Sequence, residues 1–188
     1  MNRCRNEEVF QKTVHLINHF KEYFLSHGQP VGENPSPGNK EGGIITLEEK
    51  SLGRVQKGGT APVEDVLSYG EPVRARGLSL LEAPGNDLVA STALVVSGAQ
   101  LVLFTTGRGT PFGYPTPTAK ISSNSPLARR KASWIDFDAG QLLNGKDMDT
   151  LAEEFFDYVL DLACGTQKAR SELFDKHDLA IWKGGVTL

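Results

Sequence analysis

"AQLVLFTTGRGTPFGYPTPTAKISSNS", residues 99–125, is the stretch whose reading decides the fold. Residues 99–107 form an apolar run, as in a strand of a parallel sheet buried on both faces. Residues 117–125 read as a second, shorter strand. Between them, positions 104–118 carry glycine or proline at six of fifteen places, and the only charge is Arg108. In open α/β sheets, ligands bind beyond the carboxyl ends of the strands. Three loops satisfy that condition here: "EAPGND" (82–87), "TTGRGTPFG" (105–113) and "SSNS" (122–125).

The flanking sequence supplies the helices. Residues 87–98 read as a helix ending at Gly98, and "GLSLLEAP" (77–84) as a strand before it. "SPLARRKAS" (125–133) opens a short helix with Pro126 at its first position, where a missing N–H costs nothing. Residues 147–165 form a helix with the stripe Leu151, Phe155, Tyr158 and Leu162, stopped by Gly165. Cys164 on its last turn reads as a core thiol. Residues 6–26 form a first helix, with Phe10, Val14, Ile17 and Phe24 at helical spacing. Residues 28–43 read as a loop. Thr46 and Glu49 match a capping box, and Gly53 would end the short helix that follows. Residues 57–73 read as turns around a β-hairpin, and "DLAIWKGGVTL" (178–188) as a last strand and tail. Strand, helix, strand, loop, strand and helix imply right-handed parallel crossovers. The expected fold is α/β, with a short, mainly parallel sheet flanked by helices in a Rossmann-like three-layer arrangement. Residues 1–188 then form one domain, with 1–76 as a helix plus loop-rich arm and 77–188 as the α/β core.

Composition narrows the function classes. With 188 residues, 39% hydrophobic and 23% charged, the chain is globular. A net charge of −3 gives no basic footprint for nucleic acid. No apolar run reaches the roughly 20 residues that span a bilayer. The amino terminus, "MNRCRNEEVF", lacks the apolar segment of a secretory signal. Two cysteines make no disulfide framework, which favours a reducing, cytoplasmic setting.

The loop at 105–113 is neither a dinucleotide fingerprint nor a P-loop, because its glycines are misspaced and no Gly-Lys-Ser/Thr closes it. What remains is a general anion site. Gly107 and Gly109 let amides approach, Thr105, Thr106 and Thr110 add hydroxyls, and Arg108 can grip a carboxylate through two parallel bonds. The competing reading, an ordinary turn with a solvated arginine, carries equal weight on composition. Glu82 and Asp87 flank a turn and could bind a divalent cation through oxygen, although Asn86 or Asp87 could equally cap the next helix. Lys50 beside Glu48 and Glu49 is a candidate base if desolvated, against the more ordinary reading of a solvated helical face. His15 and His19 have the i, i+4 spacing of a metal pair, but Leu16 takes the place of the glutamate in a zincin motif. Both histidines read as surface residues.

Taken together, "NPSPGNKEGGIITLEEKSLG" (34–53), "LLEAPGND" (80–87), "LVLFTTGRGTPFG" (101–113), "PTAKISSNS" (117–125) and "WIDFDAG" (134–140) resemble the carboxyl-terminal part of the altronate/galactarate dehydratase family. The wording is closer to the altronate branch. The resemblance implies a hydro-lyase that converts a hexonic or hexaric acid to a 2-keto-3-deoxy acid with the help of a divalent metal, Fe2+ or Mn2+. It makes Arg108 and the surrounding amides a carboxylate cradle, and Lys50 a candidate base. Asn34 and Asn39 become candidates for sugar hydroxyls, and Glu49, Asp87 and Glu82 candidates for metal or hydroxyl contacts. Family members are longer and carry an amino-terminal and a middle domain for which this chain has no counterpart. The expected partners are therefore a sugar acid and those missing domains, with room for a homo-oligomer.

Overall fold

The computed structural model describes residues 3–31, 35 and 37–185. The chain divides into two compact units, one of Met1–Glu82 with Lys183–Leu188, the other of Ala83–Trp182.

In the first unit, helix α1 (Glu7–Ser26) starts where the Asn6 side chain accepts from Val9 N, and its first turn carries Glu7 and Glu8. Val9 is its buried residue and Ile17 is half exposed, so the inward face is turned away from the Ile17 side of the expected stripe. The loop expected at 28–43 holds a short helix, α2 (Pro37–Glu41). Helix α3 (Leu47–Lys57) runs through Gly53 instead of stopping there. One glycine costs a helix only about 1 kcal/mol, too little to end it without a positive-φ turn. The hairpin expected around residues 57–73 is absent. Strand β1 (Val63–Leu67) pairs in parallel with β2 (Leu78–Leu81), and Cys4 adds a parallel bridge to Val63. The strand read at 77–84 thus pairs inside the first unit, through a partner that local pattern did not reveal.

In the second unit, Asn86 caps helix α4 (Asp87–Val96), accepting from Leu88 N and Val89 N. Strands β3 (Val102–Thr106), β4 (Thr118–Ser122) and β5 (Phe137–Asp138) form a parallel sheet in the order β3-β4-β5. The parallel α/β pairing expected from sequence holds, and it is spread over two short sheets flanked by helices. The fully buried strand is β4, not β3, because β4 is central and β3 lies at an edge with Leu103 and Thr105 exposed. Asn124 caps α5 (Ser125–Arg130), and a 3-10 helix (Ala139–Asn144) follows β5. Helix α6 (Met148–Cys164) lies beyond it and ends at Gly165 with φ +73°. Its Tyr158 and Leu162 pack with Ala119, Ile121 and Ala169 in the core, and Phe137 and Phe155 join from the edge. Cys164 is exposed rather than a core thiol. A four-residue helix, α7 (Arg170–Leu173), comes next. Residues 178–185 contain no strand.

Candidate functional site

The loop that follows β3 is built by its own side chains. Thr106 Oγ1 accepts the Gly109 amide at 2.8 Å and, more weakly, the Arg108 amide at 3.4 Å. Gly109 has φ +80°, and a Cβ there would press on Leu127 and Lys131. From the cap of α5, Asn124 Nδ2 donates to the Gly107 carbonyl at 3.2 Å. Lys131 Nζ donates to the Arg108 carbonyl at 2.9 Å and sits 4.3 Å over the Trp134 ring. The loop is therefore a shaped turn whose amides at 108 and 109 serve the turn itself. Among the described residues the exposed Arg108 guanidinium has no hydrogen bond or ion pair. An anion arriving here meets that side chain, with Thr105 exposed and Thr110 half-buried on either side.

The expected residues of the first unit fall into separate groups. Lys50 Nζ donates to Asn39 Oδ1 at 2.9 Å, bringing the candidate base onto a candidate sugar-binding amide. Asn34 lies outside the described residues. Glu49 completes the capping box. Its Oε2 accepts the Ile45 and Thr46 amides at 2.9 and 3.1 Å, and Thr46 Oγ1 accepts the Glu49 amide at 3.2 Å. Those amide bonds hold its carboxyl below the usual carboxylate range. Glu82 has a mostly buried side chain, with Oε1 3.7 Å from His19 Nε2 and no hydrogen bond. His19 stacks on His15 with ring centroids 5.5 Å apart.

Asp87 stands in the first turn of α4, in the second unit. Among the described residues no three His, Cys, Asp or Glu side chains converge on a point that could hold a cation. Glu49 is committed to its cap, and Glu82 faces a histidine. Among the described residues, then, these carboxylates do not by themselves form a ligand set for a divalent metal.

Sequence reasoning missed the polar groups gathered around β4. Lys120, in the middle of that strand, is 1% exposed. Burial pushes its ammonium down from the ordinary lysine range, against the pull of Asp136 and Asp178. Asp136 binds the Lys120 amide with Oδ2 at 2.7 Å and the Arg170 amide with Oδ1 at 2.6 Å, tying β4 to α7. Burial raises its carboxyl despite these bonds. Asp178 Oδ2 accepts the Gly113 amide at 3.2 Å, and its own amide returns to the Gly113 carbonyl at 2.7 Å. The available signal was a lysine between the apolar Ala119 and Ile121 in a segment that reads as a strand.

A short parallel α/β fold with polar loops at its strand ends is the class of protein these features define. The chain matches the model of the D-galactarate/altronate dehydratase carboxyl-terminal family over residues 1–187, and it belongs to that family. It is 56% identical to altronate dehydratase of Escherichia coli (strain K12) over 188 residues, all of this chain and 38% of that protein. It is 57% identical to altronate dehydratase of Bacillus subtilis (strain 168) over 190 residues, again 38% of that protein. Galactarate dehydratase (L-threo-forming) of Escherichia coli (strain K12) is 34% identical over 183 residues, or 96% of this chain. The chain thus spans well under half the length of these relatives. Among the described residues no helix is long and apolar enough to cross a membrane.

Proposed function

We propose that the chain is the carboxyl-terminal part of a hydro-lyase that dehydrates D-altronate, or a related hexonic or hexaric acid, to a 2-keto-3-deoxy sugar acid. The observation that carries this reading is the 56–57% identity to two altronate dehydratases across the full chain, against 34% to the galactarate enzyme. In such a reaction a base takes the proton alpha to the carboxylate, and an enediolate forms. An acid then protonates the 3-hydroxyl as the C–O bond breaks and water leaves. The enediolate carries more negative charge on its carboxylate oxygens than the substrate does. A cation that meets those oxygens binds the transition state more tightly than the ground state. Arg108, whose guanidinium has no partner among the described residues, suits that role, and Thr105 and Thr110 suit the neighbouring hydroxyls. Lys50, already on Asn39, is the candidate base. A cytoplasmic setting and a divalent metal shared with the rest of a longer enzyme belong to the same proposal.

A second reading has its own support. The chain corresponds to 38% of its altronate dehydratase relatives, and its described residues assemble no three-ligand metal site. It could serve as a sugar-acid-binding or assembly module that turns over only with further domains. The chain incubated with D-altronate and Fe2+ or Mn2+, and assayed for a 2-keto acid, separates the two. Product supports catalysis by this chain. No product from it, with product from a protein of the relatives' full length, supports the module. No product from either sinks the dehydratase reading.

A further inference from the structure

The second unit holds a cavity of about 290 Å³ lined by Pro111, Lys120, Ser133, Trp134, Arg170, Ser171, Phe174 and Lys176. That volume lies just under the roughly 300–1,000 Å³ of ordinary small-ligand sites, so a compact ligand suits it and a nucleotide-sized cofactor does not. Three of its lining side chains are cations and none is a carboxylate. Lys120 is the buried one, and among the described residues its ammonium makes no hydrogen bond and no ion pair. Asp136 and Asp178 act on it through space, and the Phe112 ring lies 5.5 Å from Nζ to the centroid.

The nearby acids are occupied elsewhere. Both carboxylate oxygens of Asp136 accept backbone amides, and Asp178 accepts the amide of Gly113. Lys176 adds repulsion toward Lys120. A buried charge without a partner is costly, and buried polar groups are almost always satisfied. A lysine held in this state beside two further cations and an open cavity has the character of a site waiting for an anion. The walls define what else the anion carries. Trp134 and Phe174 offer apolar faces. Ser133 offers a hydroxyl, and Ser171, whose hydroxyl donates to the Thr118 carbonyl at 3.0 Å, can still accept.

We propose that this cavity binds a small hydroxylated carboxylic acid, with its carboxylate on the Lys120 ammonium and Arg170 and Lys176 closing over it. The proposal stands on the cavity and its cations. It does not depend on the dehydratase reading, and it concerns residues other than the Arg108 loop.

The test is a titration of the 15N-labelled chain with a hexonate, followed by two-dimensional NMR. The same titration is run with inorganic phosphate and with a neutral hexitol. The expected result is saturable shifts at Lys120, Ser171 and the Trp134 indole with the acid, and none with the hexitol. Lys120→Met should weaken the acid at least tenfold, the scale of one charge-assisted bond. Should that variant not fold, Arg170→Ala and Lys176→Ala, both at exposed positions, should each weaken it several-fold. Shifts confined to the loop after β3, with none at Lys120, Ser171 and the Trp134 indole, would place the acid elsewhere and overturn the proposal. The proposal is overturned if the acid gives no saturable shift, if the hexitol binds as well, or if phosphate binds and the acid does not. Rim variants that bind like the parent would overturn it too.

Discussion

Gly140 tests the packing of the second unit most sharply. It is the second residue of the 3-10 helix after β5, and a Cβ built there would collide with Asn124 Cα, Asn124 C and Ser125 N. All three are backbone atoms at the start of α5, where Asn124 Oδ1 accepts the Leu127 amide at 2.9 Å. A flexible side chain could swing aside, but a capped helix start cannot. Overpacking costs typically about 1–3 kcal/mol, and here the upper end applies because the neighbour is rigid. A loss of about 3 kcal/mol in a unit of this size lowers Tm by roughly 12–24 °C. The assay is convenient because both tryptophans, Trp134 and Trp182, lie in Ala83–Trp182, so tryptophan fluorescence reports on this unit. Gly140→Ala should therefore melt far below the parent. Gly85→Ala is the control, because nothing lies within 4 Å of its added Cβ. It should change stability by no more than about 0.5–1 kcal/mol. A Gly140→Ala variant melting within two or three degrees of the parent, at about the same temperature as Gly85→Ala, would refute the reasoning.

Two other outcomes are expected. In a protein of the relatives' full length, Arg108→Ala should lower kcat/KM for D-altronate about a hundredfold or more, with Arg108→Lys recovering part of it; unchanged kinetics would remove Arg108 from the reaction. Asp147 caps α6, and its carboxylate is held below the ordinary range by the Thr150 amide and hydroxyl. A depressed folded-state pKa adds stability that is present above the unfolded value and lost as pH falls through the folded one. Asp147→Asn keeps a capping oxygen and removes the charge. It should melt below the parent at neutral pH, with the gap closing under acidic conditions, and a gap that ignores pH would count against this account.

The residues that local chemistry governs were legible in the chain. Asn86 as a cap, the Thr46–Glu49 capping box, Pro126 near the start of α5 and Gly165 at the end of α6 are patterns spanning three or four residues, and the structure shows each. The Leu151–Leu162 stripe carried the burial of α6 because its period and its partner face agree. The Lys50–Asn39 contact joins two residues singled out for separate reasons, at a separation that no local rule covers.

What failed to show in the sequence depends on distant pairing. The apolar run at 99–107 looks more buried than "TAKIS", yet sheet order places the latter at the centre, where both faces are covered. The same order buries Lys120 and leaves its ammonium facing a cavity whose other walls come from residues 133–134 and 170–176. The partner of the strand at 77–84, the crowding at Gly140 and the exposure of Cys164 likewise follow from neighbours far along the chain. By itself the sequence determined the main helices α1, α4, α5 and α6, several caps, the parallel α/β character and the family, because these rest on short-range spacing and on long motifs in order. Only the tertiary structure decided which strand is central and which charge is buried, because burial depends on which distant segments pack together.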